Sequence, residues 1–182
     1  MNSAIFTTSF QNYHVSQILF AGPVIELPEE KRKGEMSHYF KIICHNGASY
    51  CHFKSQDAAR NARNALGAML NSMKPYCYKY GNSTIDSKGV VSFSNVFPLK
   101  TIRNDLTHAI VVTLDTTDED NSKIWLKFKS EDNAWKGQKA LFASIYAAND
   151  MKKEKEDDVG DGDAVMEPVL AEASSPNENL PF

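Results

Sequence analysis

The chain has 182 residues, of which 42% are hydrophobic and 24% charged, as in a globular protein large enough to bury a core. No apolar run approaches the roughly 20 residues that a membrane-spanning helix needs, and the N-terminus Met1-Asn2-Ser3-Ala4 lacks the basic and apolar segments of a signal peptide. The three cysteines, with no secretory signal, indicate free thiols in a reducing compartment. These features predict a cytoplasmic protein with no membrane partner.

Charge is distributed unevenly along the chain. Residues 154–182 contain nine acidic residues and one lysine, whereas the other 153 residues contain 19 basic and 14 acidic residues. A basic body with an acidic tail is common in nucleic-acid-binding proteins, where the tail recruits partners or competes for the binding surface. An acidic tail can also serve only to keep a protein in solution, so charge alone leaves both interpretations open.

The first half of the chain begins with predicted strands at about 4–10, 13–21 and 38–45, and a charged loop over 28–35 precedes the last of them. Asn46-Gly47 is a strong hairpin signal and predicts a return strand over 49–54. Ser55 then suits the N-cap of a helix, with Asp57 in the first turn, where the helix dipole favours an acid. The apolar stripe of this helix consists of Ala59, Ala62, Leu66, Met69, Leu70 and Met73.

The second half repeats this order of elements. Strands are predicted at about 76–81, 89–97 and 108–115, and a longer, acidic turn over 116–122 leads to a strand over 124–129. Ser130 is the next candidate N-cap. It precedes a helix whose stripe of small and aliphatic residues consists of Ala134, Gly137, Leu141, Ile145 and Ala148.

The two halves also share sequence. The run Phe53-Lys54-Ser55-Gln56-Asp57-Ala58-Ala59 recurs as Phe128-Lys129-Ser130-Glu131-Asp132-Asn133-Ala134, 75 positions later, and at the same offset Tyr50 matches Trp125. Gapless matches across both a strand and a helix predict an internal duplication. The predicted fold class is therefore α+β. Two tandem β-β-β-β-α repeats, at 1–74 and 75–150, pack together as one joint domain, and a disordered acidic C-terminal tail follows at 151–182.

Strand alternation predicts one solvent-exposed face in each repeat. With Asn46-Gly47 as the turn, Lys41 pairs with His52, and Cys44 and Cys51 face the core. The exposed side chains of the first repeat are then Tyr39, Lys41, Tyr50, His52 and Lys54. In the second repeat they are Lys123, Trp125, Lys127 and Lys129.

Aromatic side chains placed among lysines suit single-stranded nucleic acid. Flat rings stack on unpaired bases, at roughly 1–3 kcal/mol per base, while ammonium groups contact the phosphates. Duplex DNA hides the faces of its bases, so such a surface favours single strands. Lysine stems also cover rings on ordinary sheets, and cross-strand pairs stabilise them, so the same residues can be purely structural.

The C-terminus ends in Leu180-Pro181-Phe182 after an acid-rich segment. It resembles the C-terminal tip of bacterial single-stranded-DNA-binding proteins, a flexible acidic segment that ends in an aliphatic residue, proline and phenylalanine. The resemblance implies that Leu180, Pro181 and Phe182 dock replication or repair enzymes, with the acids steering the approach. The tip departs from the family at Asn177-Glu178-Asn179, because the aspartates lie further upstream.

The body is similar in its predicted topology to the Whirly and PUR group of single-stranded-nucleic-acid binders, and not to the oligonucleotide-binding barrel. The run Lys136-Gly137-Gln138-Lys139-Ala140-Leu141 resembles a Whirly sequence motif, but it falls in a predicted helix and implies no role. Together the resemblances imply a divergent binder of a bacteriophage or mobile element, in the cytoplasm of a bacterium or host. Pairing of sheet edges would make it a homo-oligomer.

Other chemistry has little support in the sequence. Cys44-His45 and Cys51-His52 are of zinc-ligand type, but alternation separates the cysteines from the histidines and favours buried free thiols. Asp118-Glu119-Asp120 lacks the glycine and the final glutamate of a calcium loop, and no phosphate-binding glycine loop or nucleophile elbow is present. We expect no metal, no cofactor and no enzymatic activity.

These patterns predict a protein that binds single-stranded DNA in replication, recombination or repair, through base stacking and phosphate contacts on the sheet face. Two alternatives remain. One is a protein–protein interaction module whose tail only solubilises it, and the other is a duplex-DNA- or RNA-binding transcription cofactor. Salt dependence identifies nucleic-acid binding, because phosphate contacts release counterions.

Deletion of residues 154–182 should leave the affinity for single-stranded DNA unchanged or raise it, because the acids of the tail compete with phosphates for the lysines. Fluorescence anisotropy with a labelled oligonucleotide measures this effect. Clearly weaker binding after truncation would contradict a competing tail.

Overall fold

Two α-helices and a larger number of short strands make up the part of the protein that the structure describes. A computed structural model describes residues 4–32 and 34–157, and over these residues the chain is mixed α+β, as predicted. The first half contains β1 (Ile5–Thr7), β2 (Asn12–His14), β3 (Ile18–Ala21), β4 (Ile25–Glu26), β5 (His38–Cys44), β6 (Gly47–Phe53) and α1 (Gln56–Met73). The second half contains β7 (Tyr78–Tyr80), β8 (Ser83–Ile85), β9 (Val90–Phe93), β10 (Phe97–Arg103), β11 (Leu106–Leu114), β12 (Lys123–Phe128) and α2 (Glu131–Asp157). The acidic tail from 158 onward, with Leu180, Pro181 and Phe182, lies outside the described residues.

Six strands precede each helix in the described chain, where four were predicted. The predicted strand over 13–21 is divided by a 3-10 turn at Val15–Gln17. The predicted strand over 4–10 ends early because Thr8 makes a tight turn, in which its hydroxyl accepts a hydrogen bond from the Gln11 amide at 3.1 Å and donates one to the Gln11 carbonyl at 2.9 Å. Such short strands contain too few alternating positions to be recognised from sequence.

Both helices begin at the predicted serine N-caps. Ser55 Oγ accepts a hydrogen bond from the Ala58 amide, and Ser130 Oγ accepts one from the Asn133 amide, each at 3.2 Å. The buried side chains of α1 are Ala59, Arg63, Leu66 and Leu70, and those of α2 include Ala134, Leu141 and Ala148. No helix in the described part of the chain is long and apolar enough to cross a lipid bilayer.

Helix α2 approaches the sheet closely at a glycine and is longer than predicted. A Cβ built at Gly137 would lie 2.6 Å from the Phe128 ring, so a larger residue there would push helix and strand apart. The helix continues to Asp157, and the predicted start of the tail at 151 was therefore wrong. Residues 151–157 are methionine, lysine, glutamate and aspartate, most of which favour helix, and the next glycine comes only at Gly160.

The strands form two main sheets, each built around one long hairpin. In the six-stranded sheet, β6 pairs with one edge of β5, while β3 and β4 lie end to end along the other edge. In the four-stranded sheet, β12 pairs with one edge of β11, while β9 and β10 share the other edge. Strand β8 of the second half pairs with β3 and extends the sheet of the first half. This pairing joins the two halves.

Over the described residues, two clusters of buried side chains form the core. The first lies within the first half and includes Phe40, Ile42, Leu66 and Leu70. The second combines Leu19, Phe20 and Ile43 of the first half with second-half residues that include Tyr78, Ile85, Ile110, Leu126 and Leu141. Neither half therefore buries all of its apolar surface without the other.

The β5–β6 hairpin pairs in a different register from the predicted one. Lys41 pairs with Tyr50 instead of His52, and the turn consists of His45-Asn46, one residue earlier than predicted. The second half holds this turn in place, because the carbonyl of its first residue accepts a hydrogen bond from the Thr117 amide at 2.8 Å. The pairing of β5 with β6 is shifted by two residues from the predicted one. Because side chains alternate between faces with a period of two, every side chain of the hairpin stays on its predicted face.

A buried ion pair fastens the junction of the two halves. Lys74 Nζ, just after α1, lies 2.5 Å from Asp86 Oδ2, and both side chains are more than nine-tenths buried. The same ammonium group donates to the carbonyls of Ser16 and Ile18, each at 2.8 Å. The other carboxylate oxygen accepts a hydrogen bond from the Lys88 amide at 3.0 Å. This complete set of partners offsets the desolvation of both charges.

Replacing Lys74 by methionine should lower the free energy of unfolding by about 3–5 kcal/mol, because the Asp86 carboxylate would stay buried without its partner. Urea unfolding measures the loss. Lys136→Met, at an exposed position of α2, is the control and should change stability by less than about 0.5 kcal/mol. Equal stability of the two variants would contradict a structural role for the ion pair.

Candidate nucleic-acid interface

The exposed face of β5 and β6, here the tyrosine face, consists of Tyr39, Lys41, Tyr50, His52 and Lys54. Its rings pack on one another across the strands. The Tyr39 ring centroid lies 5.7 Å from that of Tyr50 and 5.8 Å from that of His52, and Lys41 Nζ lies 5.8 Å from the Tyr50 centroid. Tyr50 remains 51% exposed. The structure brings Tyr39, Lys41, Tyr50 and His52 together, as cross-strand neighbours on one face of a sheet.

The two lysines of the tyrosine face are engaged in contacts of the fold. Lys41 is half-buried, and its Nζ donates to Asn121 Oδ1 in the loop between β11 and β12. Burial lowers the pKa of Lys41, and the nearby Asp118 carboxylate opposes the shift. Lys54 forms an exposed ion pair with Glu35. The tyrosine face therefore has less positive charge available for phosphates than the sequence pattern indicates.

The exposed face of β12, here the tryptophan face, consists of Lys123, Trp125, Lys127 and Lys129, all of them exposed. The Trp125 side chain is 51% exposed. Across the strands, Trp125 pairs with Val111, and Lys127 pairs with Ala109, whose side chain is buried. The Phe97 ring of β10 makes a T-shaped contact with the indole, with 5.6 Å between the ring centroids and 80° between the planes. Such edge-to-face contact orients the indole and leaves much of it accessible.

Trp125 lines an open cleft of about 650 Å³ between β10 and the β11–β12 pair. Phe97 and Leu99 supply apolar walls, while Lys100 and Lys127 supply cations. No acidic side chain of the described chain lines this cleft. A flat ring, apolar walls and two ammonium groups fit an unpaired base and its flanking phosphates.

Sequence reasoning missed Phe97 and Lys100 as site residues, because the strand was predicted to end at 97. In the structure the predicted strand over 89–97 is β9, which ends at Phe93, and a separate strand, β10, begins at Phe97. Strand β10 turns into β11 through Asn104-Asp105, whose φ angles are 53° and 60°. Two positive φ angles define a type I′ hairpin turn, which favours asparagine and aspartate. This dipeptide, flanked by alternating residues, was the signal that could have identified the hairpin.

Tyr80 holds β12 on the edge that faces away from β11. Its hydroxyl accepts a hydrogen bond from the Lys127 amide at 2.8 Å and donates one to the Lys127 carbonyl. Its ring packs on Phe128, with 5.3 Å between the centroids. Burial raises the pKa of this hydroxyl, and the hydrogen bond with the Lys127 backbone opposes the shift. Tyr80 thus positions the strand that carries Trp125.

A row of exposed rings, here the aromatic ridge, follows α2. Trp135, Phe142 and Tyr146 are 42%, 59% and 62% exposed, and spacings of seven and four residues put them on one side of the helix. The buried stripe of α2 was predicted from its period, whereas the ridge was not. The helical period that predicted the buried stripe also places Trp135, Phe142 and Tyr146 together on another side of α2, and so identifies the ridge.

The cysteine and histidine pairs do not converge on one point. Cys44 and Cys51 are buried in the core, whereas His52 is exposed on the tyrosine face and His45 lies in the hairpin turn. Burial raises the pKa of the Cys44 thiol to about 11. Within the described residues, no group of three or more histidine, cysteine, aspartate or glutamate side chains could hold a metal ion.

Comparison of the chain with models of protein families, with curated proteins and with solved structures found no match. The function of the two sheet faces is therefore inferred from their own residues and contacts.

Tyr80→Phe should lower the free energy of unfolding by about 1–2 kcal/mol, because the Lys127 amide and carbonyl would lose their hydrogen-bond partner. Tyr146→Phe removes a hydroxyl from an exposed ring of α2 and should leave stability unchanged. Urea midpoints of the two variants measure the difference. Identical midpoints would show that Tyr80 does not hold β12.

Proposed function

We propose that this protein binds single-stranded DNA through the tryptophan face and the cleft beside it. The observation that carries the proposal is the half-exposed indole of Trp125, in T-shaped contact with Phe97 and flanked by Lys127, in a cleft that no acidic side chain of the described chain lines. Stacking on such a ring contributes roughly 1–3 kcal/mol per base and tolerates any base. Duplex DNA keeps its base faces covered, so the indole favours single strands.

The lysines supply the electrostatic part of the proposed interface. Lys123, Lys127 and Lys129 project from the same side of β12 as Trp125, and side chains two residues apart on a strand are separated by about 7 Å. A nucleic-acid backbone laid along β12 would meet these ammonium groups in turn. Each phosphate contact releases counterions, so affinity should fall with salt.

We assign the tyrosine face a smaller share of the affinity. Tyr50 is exposed enough to stack on a second base, and His52 lies beside Tyr39 on the same face. Lys41 and Lys54 are already bonded to neighbours within the fold. Binding of phosphates there would compete with those bonds.

We infer that the chain arose by duplication of one module of six strands and a helix. The β3–β5 pair and the β9–β11 pair have equivalent registers, and each has an irregularity after its first residue pair. In β3–β5 the residue pairs are Ile18 with Cys44, Phe20 with Ile43, and Ala21 with Ile42. In β9–β11 they are Val90 with Leu114, Ser92 with Thr113, and Phe93 with Val112. The hydroxyl of Ser37 donates to the Lys54 carbonyl at 2.7 Å, and that of Thr107 donates to the Lys129 carbonyl at 3.0 Å. Shared register, irregularity and side-chain bonds support two copies of one module.

For the C-terminal tip we propose the role that its resemblance implies. Leu180, Pro181 and Phe182 would dock replication, recombination or repair proteins, with Phe182 filling an apolar pocket of the partner. The acids between 158 and 182 would steer that encounter. In this scheme the body holds the DNA and the tip brings in the enzyme.

A second candidate function, protein–protein interaction, is favoured by the aromatic ridge. Three exposed rings on one side of α2 form an apolar row of the kind that marks interaction sites. The ridge lies on a helix and not on the sheet faces, so a partner there would leave the cleft at Trp125 accessible.

The full-length protein should bind a labelled oligo-thymidine of about 30 nucleotides, and a duplex of equal length should not displace it. Trp125→Ala should weaken binding about tenfold, or roughly 1.4 kcal/mol, the contribution of one stacked base. Tyr50→Ala should weaken binding less. Fluorescence anisotropy at two salt concentrations measures these affinities, and binding should weaken steeply at the higher one.

Phe142→Ala is the matched control, since it removes an exposed ring of the aromatic ridge and should leave the affinity unchanged. A folded Trp125→Ala protein that binds like the wild type would exclude the cleft as the site. No binding of oligo-thymidine at low salt would overturn the nucleic-acid function and favour the interaction module.

A further inference from the structure

A polar groove of about 710 Å³ lies between α1 and the β7–β8 hairpin. Its walls carry the cations Arg60, Arg63 and Lys79, together with amide side chains such as Asn64 and Asn71. No acidic side chain in the described part of the chain lines it. The groove shares no lining residue with the cleft at Trp125, so the two are separate places on the molecule.

Arg63 is a buried cation of this groove whose hydrogen-bond partners are all neutral. The residue is 7% exposed. Its Nε donates to the carbonyl of Gly22 at 2.8 Å, and the two N–H groups of its Nη2 are shared among the carbonyls of Ala21 and Asn82 and Thr84 Oγ1, at 2.9–3.0 Å. These dipoles solvate the guanidinium but leave its net charge uncompensated. Burial accordingly lowers its pKa.

The remaining nitrogen of Arg63 lies at the wall of the groove. A Cβ built on Gly67 would lie 3.2 Å from Nη1, and Gly67 is itself a lining residue. The four hydrogen bonds above use Nε and Nη2. The N–H groups of Nη1 are therefore the ones placed to bind a group in the groove.

Comparison with α2 indicates that a hydrogen bond from the helix to the neighbouring strand does not require a charged side chain at the position of Arg63. Gln138 stands 75 residues after Arg63 and makes the corresponding bond, from Nε2 to the Ser94 carbonyl at 3.0 Å. A neutral amide thus suffices to tie the helix to the residue after the neighbouring strand. At the same offset, Arg60 of the groove corresponds to Trp135 of the aromatic ridge. The two arginines of the groove therefore have uncharged counterparts at this offset on α2.

We propose that the groove binds a phosphate group, held by Arg63 Nη1 and by Arg60 and Lys79 on the walls. Guanidinium and ammonium groups form charge-assisted hydrogen bonds with phosphate oxygens. The negative charge of the ligand offsets the buried charge of Arg63. A phosphodiester of a nucleic acid and a small phosphorylated molecule share this chemistry. The site stands independently of the cleft at Trp125.

Titration of the full-length protein with inorganic phosphate, against sodium chloride at equal ionic strength, tests the site. The Arg63 Nε–H resonance in proton–nitrogen NMR spectra should shift saturably with phosphate and not with chloride. Combined Arg60→Gln and Lys79→Gln substitutions should lower the phosphate affinity by about tenfold. Lys136→Gln with Lys139→Gln removes the same charge from exposed positions of α2 and should change it by less than about twofold.

A resonance that does not respond to phosphate, or equal phosphate affinity of the two double variants, would overturn the proposal. Oligo-thymidine distinguishes the two sources of the phosphate. If the Arg60→Gln, Lys79→Gln protein loses more oligonucleotide affinity than the Lys136→Gln, Lys139→Gln control, the site binds a phosphodiester of the bound strand. Unchanged oligonucleotide binding assigns it to a small phosphorylated ligand. If the protein binds phosphate saturably but binds no oligonucleotide, the phosphate site is supported and the proposed DNA-binding function is rejected.

Discussion

Lys74 and Asp86 form the contact that sets how the two halves meet. The pair is buried where α1 ends, where β3 begins and where β8 ends, and its ammonium group also binds the carbonyls of Ser16 and Ile18. Separating the partners of a buried ion pair leaves uncompensated charges in the protein interior, so any displacement of β8 from β3 that parts Lys74 from Asp86 is costly. The β3–β8 pairing and the shared cluster of buried side chains then place the second sheet against the first half.

This placement also decides what the two sheet faces can do. The loop between β11 and β12 lies on the β5–β6 hairpin, where Thr117 bonds to His45, and Asn121 bonds to Lys41. That contact stabilises the joint fold and occupies a cation that strand alternation alone leaves exposed. The side chains of the tryptophan face stay exposed, because β11 on one edge of β12 and Tyr80 on the other bond to its backbone. The two sheet faces thus differ in what they offer a ligand.

Strand alternation was enough to predict which side chains of β6 and β12 face outward. Side chains alternate between the two faces of a strand, so a register shift by an even number of residues leaves each side chain on the same face. The two-residue error in the β5–β6 register changed no face for that reason. Whether an outward side chain is available to a ligand is a separate question. Lys41 and Lys54 point outward but are bonded to Asn121 and Glu35, and those contacts come from loops whose positions strand alternation does not specify.

Local sequence patterns established the α+β class, the serine caps of both helices and the exposed position of Trp125 among lysines. These features follow from periodicity and capping, which act over a few residues. Tertiary structure alone decided that β8 extends the first sheet, that Phe97 joins Trp125 in a cleft, and that Arg63 is buried among neutral partners. Those features depend on pairing and burial between segments far apart in the chain, and the free energy of such contacts comes from surfaces that no local pattern specifies.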